Sequence, residues 1–388
     1  MAATRGKVSR RRVCRAGVIA TGGLLTGGVA RGLPWAVRPA RAESAKRTAV
    51  EPIAWLAEIQ QPPQTVPPDA PRLSPLLVDD AGKPLATKQA WEGRRAGLLE
   101  EWRGLLGDLG VSRRQPPTVE TVGEETRDGV VIRLIRYDSE PGWPTEAYVL
   151  EPAAAPPSGG RPGAVILHST VHQSIREPAG LEGPASLAFG AKLARLGFVC
   201  VCPRNFLWPD MMHIEAEPQT RRFLGLHPGV TGMAKMLHDA ELAVDLLLAR
   251  EHVDGGRICA IGHSLGAKEV LYLAAFDERV KVTVSSEGGV GTTFSNWQSP
   301  WYLGPARERL GPRHEHHELI ALAAPRPFLL VGGESADGDR SWPFIEAALP
   351  VYRLYDESPA LGLLNHRKGH DVPQPAWERI EQWLLHYT

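Results

Sequence analysis

The sequence predicts an α/β protein with a mostly parallel central sheet, antiparallel strands on its N-terminal side and helices on both faces. Three observations carry this reading. Short continuous apolar runs, such as residues 164–167 and 198–202, read as strands buried on both faces. Segments with helical spacing separate them, as the crossovers of a parallel sheet require. Ahead of these, residues 119–152 alternate in polarity and turn at Asp128-Gly129 and Pro141-Gly142, giving two or three antiparallel strands.

The elements follow in chain order. Residues 43–84 are Pro-rich and aperiodic, with Pro62-Pro63 and Pro67-Pro68, and read as an extended arm. Trp91, Leu98, Leu99, Trp102 and Leu105 give residues 87–106 an amphipathic helical pattern. A Pro/Gly linker at 156–162 precedes the alternating part. There the strands are expected at 164–167, 198–202, 257–261, 280–285, 327–331 and 361–364. Helices are expected at 185–196, 236–250, 265–275, 344–354 and 376–386. No internal repeat is found. The organisation expected is therefore an export signal (1–42), an arm with its helix (43–115) and a catalytic domain (116–388).

Composition narrows the function classes. Of the 388 residues, 43% are hydrophobic and 23% charged, which excludes a disordered or collagenous chain. The formal charge is zero, yet residues 1–42 hold nine Lys/Arg and no Asp/Glu, leaving 35 basic against 44 acidic residues in the body. An acidic body offers no electrostatic footprint for phosphate backbones, so nucleic acid is not an expected partner.

Within the leader, Ser9-Arg10-Arg11-Arg12-Val13-Cys14-Arg15 resembles the twin-arginine export signal. The uncharged stretch 16–30 contains five glycines and falls short of the roughly 20 apolar residues that span a bilayer. No permanent membrane anchor is expected. Ala40-Arg41-Ala42 supplies a small-x-small cleavage pattern. The expected partner is the twin-arginine export machinery, and the expected location periplasmic or extracellular. Beyond the leader, Cys200, Cys202 and Cys259 lie in apolar runs and read as small core hydrophobes rather than disulfide or metal ligands.

The chemistry centres on Gly262-His263-Ser264-Leu265-Gly266, which follows a strand and opens a helix. Glycines on either side let the backbone pack closely around a sharp turn, which would expose the Ser264 hydroxyl as a nucleophile. The N–H of Leu265, at the helix start, can face a developing oxyanion. This arrangement resembles the nucleophile elbow of the α/β-hydrolases, in which an acid and then a base follow in the chain.

His370, in Gly369-His370-Asp371 before the last helix, is the expected base, with His366 as the rival. The acid is expected on the loop after the 327–331 strand, where Asp337 is best placed and Asp339 and Glu334 are alternatives. Glu287, after the 280–285 strand, is a further alternative. A second oxyanion donor is expected at the N–H of Thr170, with Ser169 or Val171 close behind. Trp297, Trp301 and Tyr302 are candidate substrate-binding rings. His314-Glu315-His316-His317-Glu318 lacks the second histidine of H-E-x-x-H, so no metal and no cofactor are expected.

Ser264 in its elbow, Ala324-Pro325-Arg326-Pro327 and Gly369-His370 are similar to the α/β-hydrolase superfamily, within it to the dienelactone-hydrolase and acetylxylan-esterase branch. The resemblance covers about residues 118–388. Dienelactone hydrolases proper use Cys as nucleophile, so a Ser here implies esterase chemistry instead. The function expected is an exported serine esterase acting through an acyl-serine on small or carbohydrate esters, acetylated ones included. The alternatives are a prolyl-oligopeptidase-like serine peptidase and an inactive hydrolase fold serving as a binding module.

Overall fold

The computed structural model describes residues 51–79, 81–111, 116–310, 314–355 and 358–388. The export signal expected over 1–42 and the first residues of the arm lie outside them.

The described chain begins with a short helix, α1 (Leu56–Ile59), and then α2 (Lys88–Leu106), whose N-cap Thr87 accepts the N–H of Ala90 at 3.2 Å. Three antiparallel strands follow: β1 (Glu120–Arg127), β2 (Val130–Glu140) and β3 (Trp143–Pro152). The parallel part alternates as β4 (Arg161–Leu167), α3 (Phe189–Arg195), β5 (Val199–Pro203), α4 (Ala216–Leu226), α5 (Gly232–Leu248), β6 (Val253–His263), α6 (Leu265–Phe276) and β7 (Val282–Ser286). It closes with α7 (His317–Ala323), β8 (Phe328–Gly332), α8 (Trp342–Arg353), β9 (Leu361–Asn365) and α9 (Gln374–Tyr387).

The nine strands form one sheet in the order β1-β2-β3-β5-β4-β6-β7-β8-β9, parallel from β5 onward. β4 pairs with β5 on one side and β6 on the other, so the chain reverses direction across the sheet here. Ligands of open α/β sheets bind beyond the carboxyl ends of strands at such a reversal.

Side chains alternate between two cores, as the period-2 geometry of strands requires. Val165, Leu167, Ile258, Ala260, Phe328 and Leu330 join the core beneath α2, α5, α6, α7 and α8. Ala164, Ile166, Cys259, Ile261, Leu329 and Val331 join the one beneath α1, α3 and α9. Both faces are covered.

The arm is more than a linker. Ile53, Leu56 and Ile59 are buried in the second core, and Gln60 Nε2 donates to the carbonyl of Leu361 on β9 at 2.9 Å. Trp55 Nε1 donates to Gln382 at 2.8 Å. Besides α1 within the arm, two more helices not expected from the sequence are present. α4 buries only Thr220 and Phe223, too few to mark an apolar stripe. α7 is buried on every side, so it shows no polar face by which periodicity could reveal it. The helix expected at 185–196 is a short 3₁₀ turn, Ala185–Leu187, followed by α3.

α2 is fastened through Trp102, which is 2% exposed, donates to Glu318 at 2.8 Å and meets the rings of Tyr272 and His316. Trp102→Ala is expected to cost about 3–5 kcal/mol, the range for deleting a buried aromatic. Urea denaturation would measure it, and a loss under about 1 kcal/mol would show that α2 packs without this anchor.

Candidate active site

Close backbone contact builds the turn after β6. A Cβ on Gly262 would overlap the carbonyl of Gly266, and one on Gly266 would overlap the carbonyl of Leu167 at the end of β4. Only hydrogen fits at either position. Between them Ser264 takes φ 56° and ψ −113°, a strained conformation for a residue with a side chain. Its N–H donates to Ser286 on β7 at 2.8 Å, which ties the elbow to the neighbouring strand. Leu265 is the first residue of α6, so its N–H has no carbonyl partner within the helix.

His370 lies on the loop between β9 and α9, and its Nδ1 is 3.1 Å from Oε2 of Glu287. The carboxylate is fully buried, whereas the imidazole is 45% exposed. Glu287 follows β7 with φ 56° and accepts the N–H groups of Gly333 and, at 2.6 Å, Ala336. Burial acts to raise its pKa, but the bonds from His370, Ala336 and Gly333 outweigh it and hold the carboxyl below its ordinary value. An ionised Glu287 accepts from Nδ1–H, which leaves Nε2 as the unprotonated nitrogen.

His263 sits against this ring, with centroids 4.8 Å apart, and its Nε2 lies 3.0 Å from the carbonyl of His370. Among the described residues, neither the Ser264 hydroxyl nor Nε2 of His370 makes a hydrogen bond. Such bonds are commonly long in ligand-free sites and tighten around substrate.

The expectation that Asp337 is the partner of His370 is corrected by this geometry. Asp337 is 1% exposed and accepts from the N–H groups of Gly289 and Val290 and from the Ser341 hydroxyl, each at 2.8 Å. Those three donors face its two oxygens, and the base lies elsewhere. Of the alternatives, Asp339 binds Arg367 at 2.7 Å and Glu334 accepts the N–H of Asp339 at 3.0 Å. Only Glu287 reaches the imidazole. His366, the rival base, accepts the N–H of Lys368 through Nδ1 at 3.1 Å.

The loop after β4 carries the three residues expected to offer a second amide. Ser169 N–H points at Glu177 (3.4 Å) and Val171 N–H at the Ser169 carbonyl (3.0 Å), while Thr170, between them, is exposed. Glu177 also accepts the Ser169 hydroxyl at 2.6 Å, which pins the loop from below.

The aromatic expectation is corrected too. Trp297 is 0% and Tyr302 3% exposed; both belong to the core, and Trp297 Nε1 donates to the Gly289 carbonyl at 2.8 Å. Neither ring can meet a substrate. Trp301 is half-buried against the same core. The histidine cluster is dispersed among structural partners. His316 bonds the Val290 carbonyl at 2.7 Å and Tyr272 at 2.9 Å, His317 bonds Ser74, and His314 bonds Glu318. Among the described residues no group of three or more His, Cys, Asp or Glu could hold a metal ion. None of their helices is long and apolar enough to cross a membrane.

Fold and site together define an α/β-hydrolase. Residues 146–301 match the model of the Dienelactone hydrolase family, and the chain is a hydrolase of the α/β fold. It is 28% identical over 249 residues to the protein named "Putative hydrolase YtaP" of Bacillus subtilis (strain 168), covering 62% of this chain and 80% of that one. Among solved structures, a glucuronoyl esterase from Solibacter usitatus superposes with a TM-score of 0.64 at 18% identity, over 82% of this chain and 98% of its own. A glucuronoyl esterase from Teredinibacter turnerae superposes with a TM-score of 0.59 at 19% identity, over 81% and 88%. At these identities the structural likeness speaks to the fold.

Three buried histidines around the site are held neutral. Burial pushes His168 and His263 down to about 4 and His316 down to about 3, from an ordinary 6.5. A histidine that takes up its proton less readily when folded contributes stability above pH 6.5 and loses it as the pH falls toward 4. Between pH 6.5 and 5, stability is expected to fall as the pH is lowered, by on the order of 1 kcal/mol per unit for each of them. Urea melts across that range would register it, and a flat profile would contradict it.

Proposed function

We propose that this protein is an exported serine esterase that cleaves carboxylic esters through an acyl-serine intermediate. The reading is supported by a strained Ser264 at a helix N-terminus, whose neighbour His263 packs against the His370 ring, and by the anchoring of that imidazole to the buried Glu287 carboxylate. In the proposed cycle the Ser264 oxygen attacks the ester carbonyl while Nε2 of His370 takes its proton. Glu287 holds the resulting imidazolium through Nδ1. The N–H groups of Leu265 and Thr170 receive the oxyanion. The leaving alkoxide takes the proton back from Nε2, and water then releases the acid by the same route in reverse.

Glu287 suits this role because its charge is already balanced by two amides. It gains a cationic partner during the step without having to be desolvated at that moment. The half-exposed His370 leaves the site open to a bulky alcohol portion. Likeness in fold to enzymes named as glucuronoyl esterases supports a carbohydrate ester as the substrate class, with acetylated sugars and other small esters within reach of the same machinery. With Trp297 and Tyr302 buried, sugar stacking is not part of the proposal.

The leader motif supports export by the twin-arginine route. Substituting both Arg10→Lys and Arg11→Lys is expected to leave the precursor in the cytoplasm, read by fractionation; export at the parental level would refute that route.

Ser264→Ala is expected to abolish turnover of p-nitrophenyl acetate and labelling by a fluorophosphonate. Glu287→Gln is expected to lower kcat by on the order of 10³–10⁴-fold with the fold intact, as loss of a triad acid does. Asp337→Asn would chiefly lower stability, by about 1–3 kcal/mol, since it turns an amide donor toward the N–H groups of Gly289 and Val290. The opposite ranking of kcat losses would return the acid to position 337.

A further inference from the structure

The turn Glu287–Val290 is secured at nearly every backbone group, mostly by side chains. Glu287 N–H donates to Val331 at 2.9 Å, and the N–H groups of Gly289 and Val290 donate to Asp337. On the carbonyl side, Gly288 accepts Lys268 Nζ at 2.5 Å, Gly289 accepts Trp297 Nε1 at 2.8 Å, and Val290 lies 2.7 Å from His316 Nδ1.

A turn of this kind needs such support. Glu287 sits at φ 56°, which costs of order 1–3 kcal/mol for a residue that is not glycine. Two glycines follow it, with the largest backbone freedom to lose. Left to itself the segment would not keep the carboxylate at one place.

Lys268 is the charged donor of this set, and no step of the proposed cycle uses it. It is 4% exposed, one turn after the nucleophile on α6, and its N–H donates to the Ser264 carbonyl at 3.3 Å. Its ammonium lies 4.2 Å from the centre of the Trp297 ring and 5.2 Å from that of Tyr302, so aromatic faces replace water around the cation. Burial drives it down to about 7, and the charge of Asp337 opposes that drop. A lysine enclosed in this way faces the turn and not the solvent.

We propose that Lys268 is a positioning residue that fixes the Gly288 carbonyl, and with it the Glu287 carboxylate, against His370, while Asp337 and Trp297 hold the same turn at its next residues. The inference rests on the Ser264, His370 and Glu287 triad proposed above. Because Lys268 and Ser264 share one helix turn, nucleophile and acid are held in register by a single element. The effect of Lys268 on rate must then pass through Glu287.

The test is a double-mutant cycle on p-nitrophenyl acetate hydrolysis in the full chain. Lys268→Met is expected to lower kcat by on the order of 10–100-fold, the effect of about 1 Å of misplacement, with KM changed less than about twofold. In the Glu287→Gln background the same substitution is expected to cost less than about twofold, since the group it positions is gone. A loss of equal size in both backgrounds, a rise in KM at constant kcat, or no loss in Lys268→Met would each overturn the proposal.

Should thermal melts show that Lys268→Met does not fold, Trp297→Phe keeps the ring beneath the ammonium and removes only the bond to the Gly289 carbonyl. It is expected to lower kcat several-fold, an effect that vanishes beside Glu287→Gln; persistence there would overturn the proposal. The triad reading fails separately, through retained turnover in Ser264→Ala or Glu287→Gln, and that result would overturn both.

Discussion

The approach of the Leu167 carbonyl to Gly266, and of Gly266 to Gly262, is the constraint on which the site depends. It brings the ends of β4 and β6 so close that any side chain at either glycine would separate them. That closeness forces Ser264 into its unusual backbone conformation and brings the loop after β4 alongside the start of α6. The two amides of the proposed oxyanion site come from these two segments. Their spacing therefore follows from a packing contact between main chains, which no rotamer change can loosen.

Much of the architecture was legible in the residues. Apolar runs located the strands because strands covered on both faces have no polar side to hide. The elbow could be read because its two glycines serve a steric need that no other residue meets. The arm was read as extended because prolines break periodicity, yet Ile53, Leu56 and Ile59 were apolar enough to dock. α7 escaped because a helix buried all round has no stripe.

The carboxylate that faces His370 differs from the expected one for another reason. Both Glu287 and Asp337 follow strand ends, and sequence gives position along the chain but not which carboxylate faces the imidazole. Asp337 stands where the chain order led one to look, and its environment assigns it to backbone amides. Trp297 and Tyr302 depart from expectation for the same cause: a ring-rich loop is equally suited to line a surface or to fill a core. Burial of both rings in the core, with Trp297 Nε1 bonded to the Gly289 carbonyl, separates the two. The sequence signal for Glu287 is a charged residue at a strand end followed directly by Gly288-Gly289.

The two margins of the sheet carry one more consequence. β1 is exposed along its whole length and displays Glu120, Glu124, Glu125 and Arg127, while the outer strand at the far side, β9, gives the carbonyl of Leu361 to Gln60 of the arm. One border is defended by repulsion and the other by a strap of the chain itself. Unsatisfied strand edges are what allow neighbouring molecules to add to a sheet and grow into insoluble fibres. The proline-rich segment thus acts as a selvedge: it keeps an open sheet from unravelling into its neighbours where the protein is concentrated.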